Sequence, residues 1–298
     1  MNLQDLIRIF ILLFGTIVLF VYYERLITEG SVYEPIPSFD EEYEITPKTF
    51  GIEYEDIHLK SADGTDIHGW YLPYSNTAPL VVHTHGNYGN ISTRINEICA
   101  IYKEIHANIF LYDYRSFGKT APKESPKHYK IKEDAEAAYA WAKQQIRDGK
   151  ASELWTYGHS MGGGISIDYV RNHQDDIPTK LLFVENSFST LREEGEYLTR
   201  LGGGIYIPQC VDNEWRNVEN IKYITCPTCV VVSEKDSKIP PSQTKSIFTS
   251  SLGIRKELIH LTNAVHTVDW QRYAKVVIPE VTRFARSLDT HKEITFDD

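Results

Sequence analysis

The chain has 298 residues, 42% of them hydrophobic and 24% charged, which is the balance of a globular protein with one large α/β domain or two small ones. A formal net charge of −10 with no Lys/Arg cluster excludes a nucleic-acid binder, which needs a basic face, so no nucleic-acid partner is expected. Four cysteines are present. Cys226 and Cys229 have redox spacing, but they lead into the apolar run 230–232 instead of opening a helix, so they read as core and strand-edge residues. No second such pair completes a zinc site, and His83-Thr84-His85 lacks carboxylate or cysteine company.

Residues 9–23 form an uncharged apolar run of 15 residues. With Leu6, Ile7 and a snorkelling Arg8 the run reaches the roughly 17–25 residues that span a bilayer. Residues 21–24, Val-Tyr-Tyr-Glu, offer no small-residue cleavage site, so the expectation is an uncleaved single-pass anchor over residues 1–28. A linker follows over 29–49, with Pro35, Pro37 and Pro47, then a domain over 50–290 and a tail over 291–298. Arg8 and Arg25 lie on opposite sides of the run and give the positive-inside rule little to act on. Asn90-Ile91-Ser92 is the single glycosylation sequon, and the orientation expected is a domain facing the lumen or the outside.

Residues 54–59 alternate, turn at 62–64 and return over 67–72, a hairpin pattern. Strands are then expected at 80–84, 109–112, 154–157, 181–184, 229–232 and 258–261. Helices are expected at 92–105, at 131–146 with Ala135, Ala138, Tyr139 and Ala142 on one face, at 163–171 and at 270–288. Short apolar strands alternating with helices define an α/β class: a mostly parallel central sheet with helices on both faces. Ligands of such sheets bind at the carboxyl ends of the strands. Residues 190–225 break the rhythm, with Gly202-Gly203-Gly204, Tyr197, Tyr206 and Trp215, and read either as a small cap or as a helix and surface loop.

Gly158-His159-Ser160-Met161-Gly162 stands between an apolar strand and a helix, the context of a nucleophile elbow. A serine hydroxyl needs a base to take its proton and a third group to orient that base. In a sheet of this kind the chain order is serine, acid, histidine. Asp236 follows the strand at 229–232 and is assigned as the acid, with Glu234 and the more distant Glu185 as competitors. His266 follows the last expected strand and is assigned as the base, while His260 lies within that strand and reads as structural. The oxyanion donors are assigned to the N–H of Met161 and, in the glycine-rich loop 85–90, the N–H of Asn87, with Tyr88 the near alternative.

These motifs together resemble the α/β-hydrolase superfamily, and within it the membrane-anchored α/β-hydrolase-domain serine hydrolases. The resemblance runs from about residue 54 to residue 288. It is carried by His85-Gly86-Asn87-Tyr88-Gly89-Asn90, Asp113-Tyr114-Arg115 with Gly118, the elbow, Val184-Glu185-Asn186-Ser187-Phe188, Cys226-Pro227-Thr228 with Asp236, and His266. Ser116 and Ala264 stand where that group commonly has glycine. The resemblance implies a small cap, an N-terminal anchor and hydrolysis of acyl esters or thioesters of lipids or lipidated proteins. That chemistry requires no metal or organic cofactor. A peptidase or acyltransferase on the same residues is the second enzymatic reading, and a catalytically silent binding scaffold the non-enzymatic one.

Overall fold

The computed structural model describes residues 3–32, 34–35, 43, 45–120, 127–174, 177–201, 215–288 and 291–297. The alternating segment expected as a hairpin forms β2 (Glu55–Lys60) antiparallel to β3 (Asp66–Leu72), with Gly64 at φ 88° in the turn. Next come β4 (Leu80–Thr84), β6 (Asn108–Tyr112), β7 (Leu154–His159), β8 (Thr179–Glu185), β9 (Thr228–Ser233), β10 (Lys256–Leu261) and β11 (His291–Phe296), while a two-residue β5 (Tyr88–Gly89) lies outside the main sheet. The nine-stranded sheet has the order β11-β10-β9-β8-β7-β4-β6-β3-β2. The pairings from β6 to β11 are parallel, whereas β3 pairs with both β2 and β6 antiparallel.

The central strands are apolar along nearly their whole length because both faces of the sheet are covered, and their side chains alternate between two cores. Val82, Phe110, Leu154, Leu182 and Val230 face one core with α3 (His128–Arg147), α4 (Met161–Asn172) and α7 (Pro241–Ser250). Val81, Ile109, Trp155, Phe183 and Val231 face the other with α2 (Ile95–Ile105) and α8 (Trp270–Arg286). The helix expected at 92–105 opens instead as a 3-10 turn, Ile91–Arg94, because Asn90 caps it by accepting from the N–H of Ser92 and Thr93.

Two terminal expectations change. Residues 291–298 are not a free tail: β11 lies parallel to β10 at the sheet edge in a six-residue register. Its sequence has only Ile294 and Phe296 as apolar residues, both half-buried on one side of the strand and too few to stand out as one. At the other end, α1 (Leu3–Val32) is longer than the apolar run, but its second half carries Glu24, Arg25 and Glu29. Among the described residues no helix is long and apolar enough to cross a membrane, so the spanning anchor expected over 1–28 is not found. The apolar side chains from Leu6 to Leu19 stand exposed, Leu12 at 70%. Within the expected linker, β1 (Glu34–Pro35) pairs in parallel with β5.

The segment expected as a cap contains α5 (Leu191–Leu201), α6 (Asn217–Asn220) and the fully buried Trp215; residues 202–214, with the three glycines, Tyr206 and Cys210, lie outside the described residues. Cys99, Cys226 and Cys229 are free thiols. Burial pushes the Cys226 thiol up to about 12 and Cys229 well above the usual range, which leaves both inert as redox groups.

Candidate active site

Between β7 and α4 the backbone turns sharply at Ser160, which stands at φ 55° and ψ −119°, a region costly for any residue with a side chain. Glycines make the turn possible. A Cβ on Gly162 would overlap the Thr84 carbonyl, and one on Gly158 would overlap the backbone of Gly162. The strained turn is held from three directions. Ser160 N–H donates to the Glu185 carbonyl at 2.9 Å, its own carbonyl accepts from Ser187 Oγ at 2.7 Å, and Thr84 Oγ1 donates to the Gly162 carbonyl at 2.8 Å. The hydroxyl is thereby presented at the carboxyl end of the sheet.

Asp236 and His266 arrive at the same end from the loops after β9 and β10. His266 Nδ1 lies 2.7 Å from Asp236 Oδ2, and His266 Nε2 lies 3.1 Å from Ser160 Oγ. A carboxylate only accepts, so this pairing puts the imidazole proton on Nδ1 and leaves the Nε2 lone pair to accept from the hydroxyl. Asp236 Oδ1 accepts from the N–H groups of Lys238 and Ile239 at 2.8 and 2.9 Å, which fixes the carboxylate before the histidine reaches it. An imidazole so placed can take the hydroxyl proton as Ser160 attacks an electrophilic carbon.

The competing acids are engaged elsewhere. Glu234 pairs with His260 Nδ1 at 2.7 Å and Lys245 Nζ at 2.9 Å, and these bonds hold its carboxyl below the usual range despite partial burial. Glu185 is buried behind the elbow, where it accepts from Tyr157 Oη and from Trp270 Nε1 at 3.1 Å, and burial raises it to about 8. His260 is the structural partner of Glu234.

The loop after β4 packs directly on the elbow: a Cβ on Gly86 would lie 3.3 Å from Ser160 Cβ and 3.0 Å from His159 Nδ1. Asn87, one residue on, is half-buried, and Tyr88 is exposed. The loop is pinned by Tyr114 Oη donating to the His85 carbonyl at 2.9 Å and by Arg94 Nη2 reaching the Tyr88 carbonyl at 3.4 Å. Met161 opens α4, so its N–H belongs to the first helical turn, whose donors have no partner within the helix. Asn90 is fully buried with its side-chain oxygen occupied, so the folded chain cannot present this sequon for glycosylation. Ser116, at φ 69°, adopts the left-handed backbone that a glycine would take there.

Sequence reasoning assigned no role to Asn186, Ser187 or His159, which support the site from below. The available signal was weak: an asparagine and a serine directly after an apolar strand, with nothing to show that their side chains point back into the sheet end.

A mostly parallel sheet in this order, with the elbow after β7 and, one strand further along the sheet, Asp236 and His266 after β9 and β10 at the same end, is the architecture of the α/β-hydrolase superfamily, and the chain belongs to it. Residues 75–185 match a family described as serine aminopeptidase, S33. Among curated relatives, the α/β hydrolase domain-containing protein WAV2 of Arabidopsis thaliana is 24% identical over 271 residues, covering 86% of this chain and 85% of that one. Protein bem46 of Schizosaccharomyces pombe is 27% identical over 225 residues, covering 74% and 73%. The lysophosphatidylserine lipase ABHD12 of Danio rerio is 25% identical over 233 residues, covering 67% of this chain and 59% of that one. Among solved structures, the Pyrococcus furiosus esterase Pf2001 superposes with a TM-score of 0.68 at 17% identity, over 85% of this chain and 96% of that chain.

Proposed function

We propose that this serine hydrolase cleaves acyl ester or thioester bonds of lipids or lipidated proteins, with Ser160 as nucleophile, His266 as base and Asp236 as its orienting acid. The observation that carries the reading is the Asp236–His266–Ser160 relay at 2.7 and 3.1 Å, set on a backbone elbow at φ 55°. Ser160 Oγ attacks the acyl carbon while His266 Nε2 takes its proton. The oxyanion is met by the N–H groups of Met161 and Asn87. Collapse breaks the ester or thioester bond, His266 returns the proton to the leaving oxygen or sulfur, and an acyl-Ser160 remains. Water activated by His266 then releases the fatty acid. The zebrafish relative named as a lysophosphatidylserine lipase supports a lipid ester. So does α1, whose exposed apolar sleeve from Leu6 to Leu19 is suited to a membrane surface.

A peptidase is the second reading, favoured by the description of the family that matches residues 75–185. The two separate on a panel containing lysophospholipids with different head groups, acyl thioesters and aminoacyl anilides, run with the full chain and with Ser160→Ala. Turnover of esters or thioesters that vanishes in the variant is expected. Faster turnover of anilides would establish the peptidase, and a folded protein that turns over none of them would make the scaffold reading the better one.

A further inference from the structure

The backbone of His266 lies outside any helix or strand, with exposed Val265 before it and exposed Thr267 after it. Its carbonyl oxygen is nevertheless gripped from beneath by two side chains, Asn186 Nδ2 at 2.9 Å and His159 Nε2 at 3.1 Å. Asn186 is fully buried and stands directly after β8 at φ 47°, a left-handed conformation that asparagine tolerates better than most residues. The same amide reaches sideways to the end of β9: Oδ1 accepts from Ser233 N–H at 2.8 Å, and Nδ2 also donates to Ser233 Oγ at 2.9 Å. Ser233 in turn begins the turn that carries the acid, since Asp236 N–H donates to the Ser233 carbonyl at 3.2 Å. One buried side chain therefore spans the origin of the acid loop and the backbone of the histidine loop.

His159 completes the grip. Its donation to the His266 carbonyl places the imidazole proton on Nε2, and Nδ1, turned toward Gly86, has no hydrogen-bond partner among the described residues. Burial holds this ring neutral, so it remains a single-proton donor.

We propose that Asn186 is a positioning residue for hydrolysis, setting the His266 backbone so that one imidazole reaches both Asp236 and Ser160. The assignment rests on the reading of those three residues as the catalytic relay. A shift of the imidazole by about 1 Å is enough to cost on the order of 100-fold in rate. An asparagine with both ends of its amide in use cannot be replaced by a pure acceptor without loss of the grip.

Asn186→Asp tests this. Aspartate keeps the acceptor for Ser233 N–H and the tolerance of left-handed backbone, but once ionised it cannot donate to the His266 carbonyl, so the comparison is made at pH 8.5, above the range to which burial raises neighbouring Glu185. The expected result is a folded enzyme with KM within about twofold of wild type and kcat lower by about 10- to 100-fold. A kcat within about twofold of wild type, or a loss carried wholly in KM, would overturn the assignment. A second readout needs no substrate: the downfield proton resonance of His266 Nδ1–H, bonded to Asp236, should shift or broaden in the variant, and an unchanged resonance overturns the proposal whatever the activity. A wild-type protein without turnover would retire the hydrolase reading while this resonance still decides the positioning role. If Asn186→Asp does not fold, Asn186→Gly, which accepts the same backbone, is read in the same two ways.

Discussion

Asp236 and Glu234 are two residues apart, and chain position alone left both available as the acid. The structure separates them by what each carboxylate faces. Asp236 turns one oxygen to two backbone N–H groups and the other to His266, whereas Glu234 faces His260 and Lys245. Asp236→Asn keeps the acceptor for Lys238 and Ile239 but offers an amide N–H to His266 Nδ1. That favours the tautomer with its proton on Nε2, which cannot accept from Ser160. A kcat loss of about 10⁴-fold with the fold retained is expected, measured on an acyl ester. Glu234→Gln removes a partly exposed ion pair and should leave kcat within about twofold of wild type. The sharp turn at Ser160 was legible because glycine at 158 and 162 around a serine has a steric meaning that a one-dimensional pattern preserves. The support from Asn186 and His159 was not, because it depends on which strand ends become neighbours.

Element by element, legibility followed burial. The strands β4, β6, β7, β8 and β9, covered on both faces, write themselves as apolar runs and were expected within two residues of where they lie. The edge strand β11 was missed, since a strand half-buried on one side, with a hydrogen-bonded partner on one edge, needs few apolar residues. Its role is nonetheless measurable. The Phe296 carbonyl accepts from Thr262 N–H and Oγ1 at 3.2 and 3.0 Å, close to the loop that carries His266. Deleting residues 291–298 uncovers β10 as a new edge. The melting temperature is expected to drop by about 5 °C or more, with increased aggregation, as read by thermal unfolding and light scattering. An unchanged melting temperature would show that β11 contributes nothing to the sheet.

At the scale of the whole molecule, the sheet end that presents Ser160 is backed by carboxyl groups that burial makes harder to ionise. Asp113 and Glu97 are raised to about 7, Glu185 and Glu194 to about 8. Unfolded carboxyls release their protons near pH 4, so the folded state binds more protons from there up to the raised values, and stability falls as pH rises. Buried imidazoles act in the opposite sense. His83, His85 and His159 stay neutral when folded, His85 down to about 3, and their contribution is lost only on acidification below about pH 6.5. Above that point the carboxyl contribution is joined, near pH 8.5, only by the buried thiols of Cys99, Cys226 and Cys229, whose raised values make stability fall with pH in the same direction. The urea midpoint is therefore expected to be lower at pH 8.5 than at pH 6.5, and a midpoint that rises over this interval would contradict the assigned burial.

The proposed function turns on one hydroxyl, that of Ser160, and a fluorophosphonate probe reads its activation directly: the probe's phosphorus is attacked by a serine whose proton has somewhere to go. The full chain should be labelled at Ser160, located by peptide mass spectrometry. Labelling should vanish in Ser160→Ala and fall steeply in His266→Ala. Labelling of a different residue, or none on a folded wild-type protein, would contradict the account.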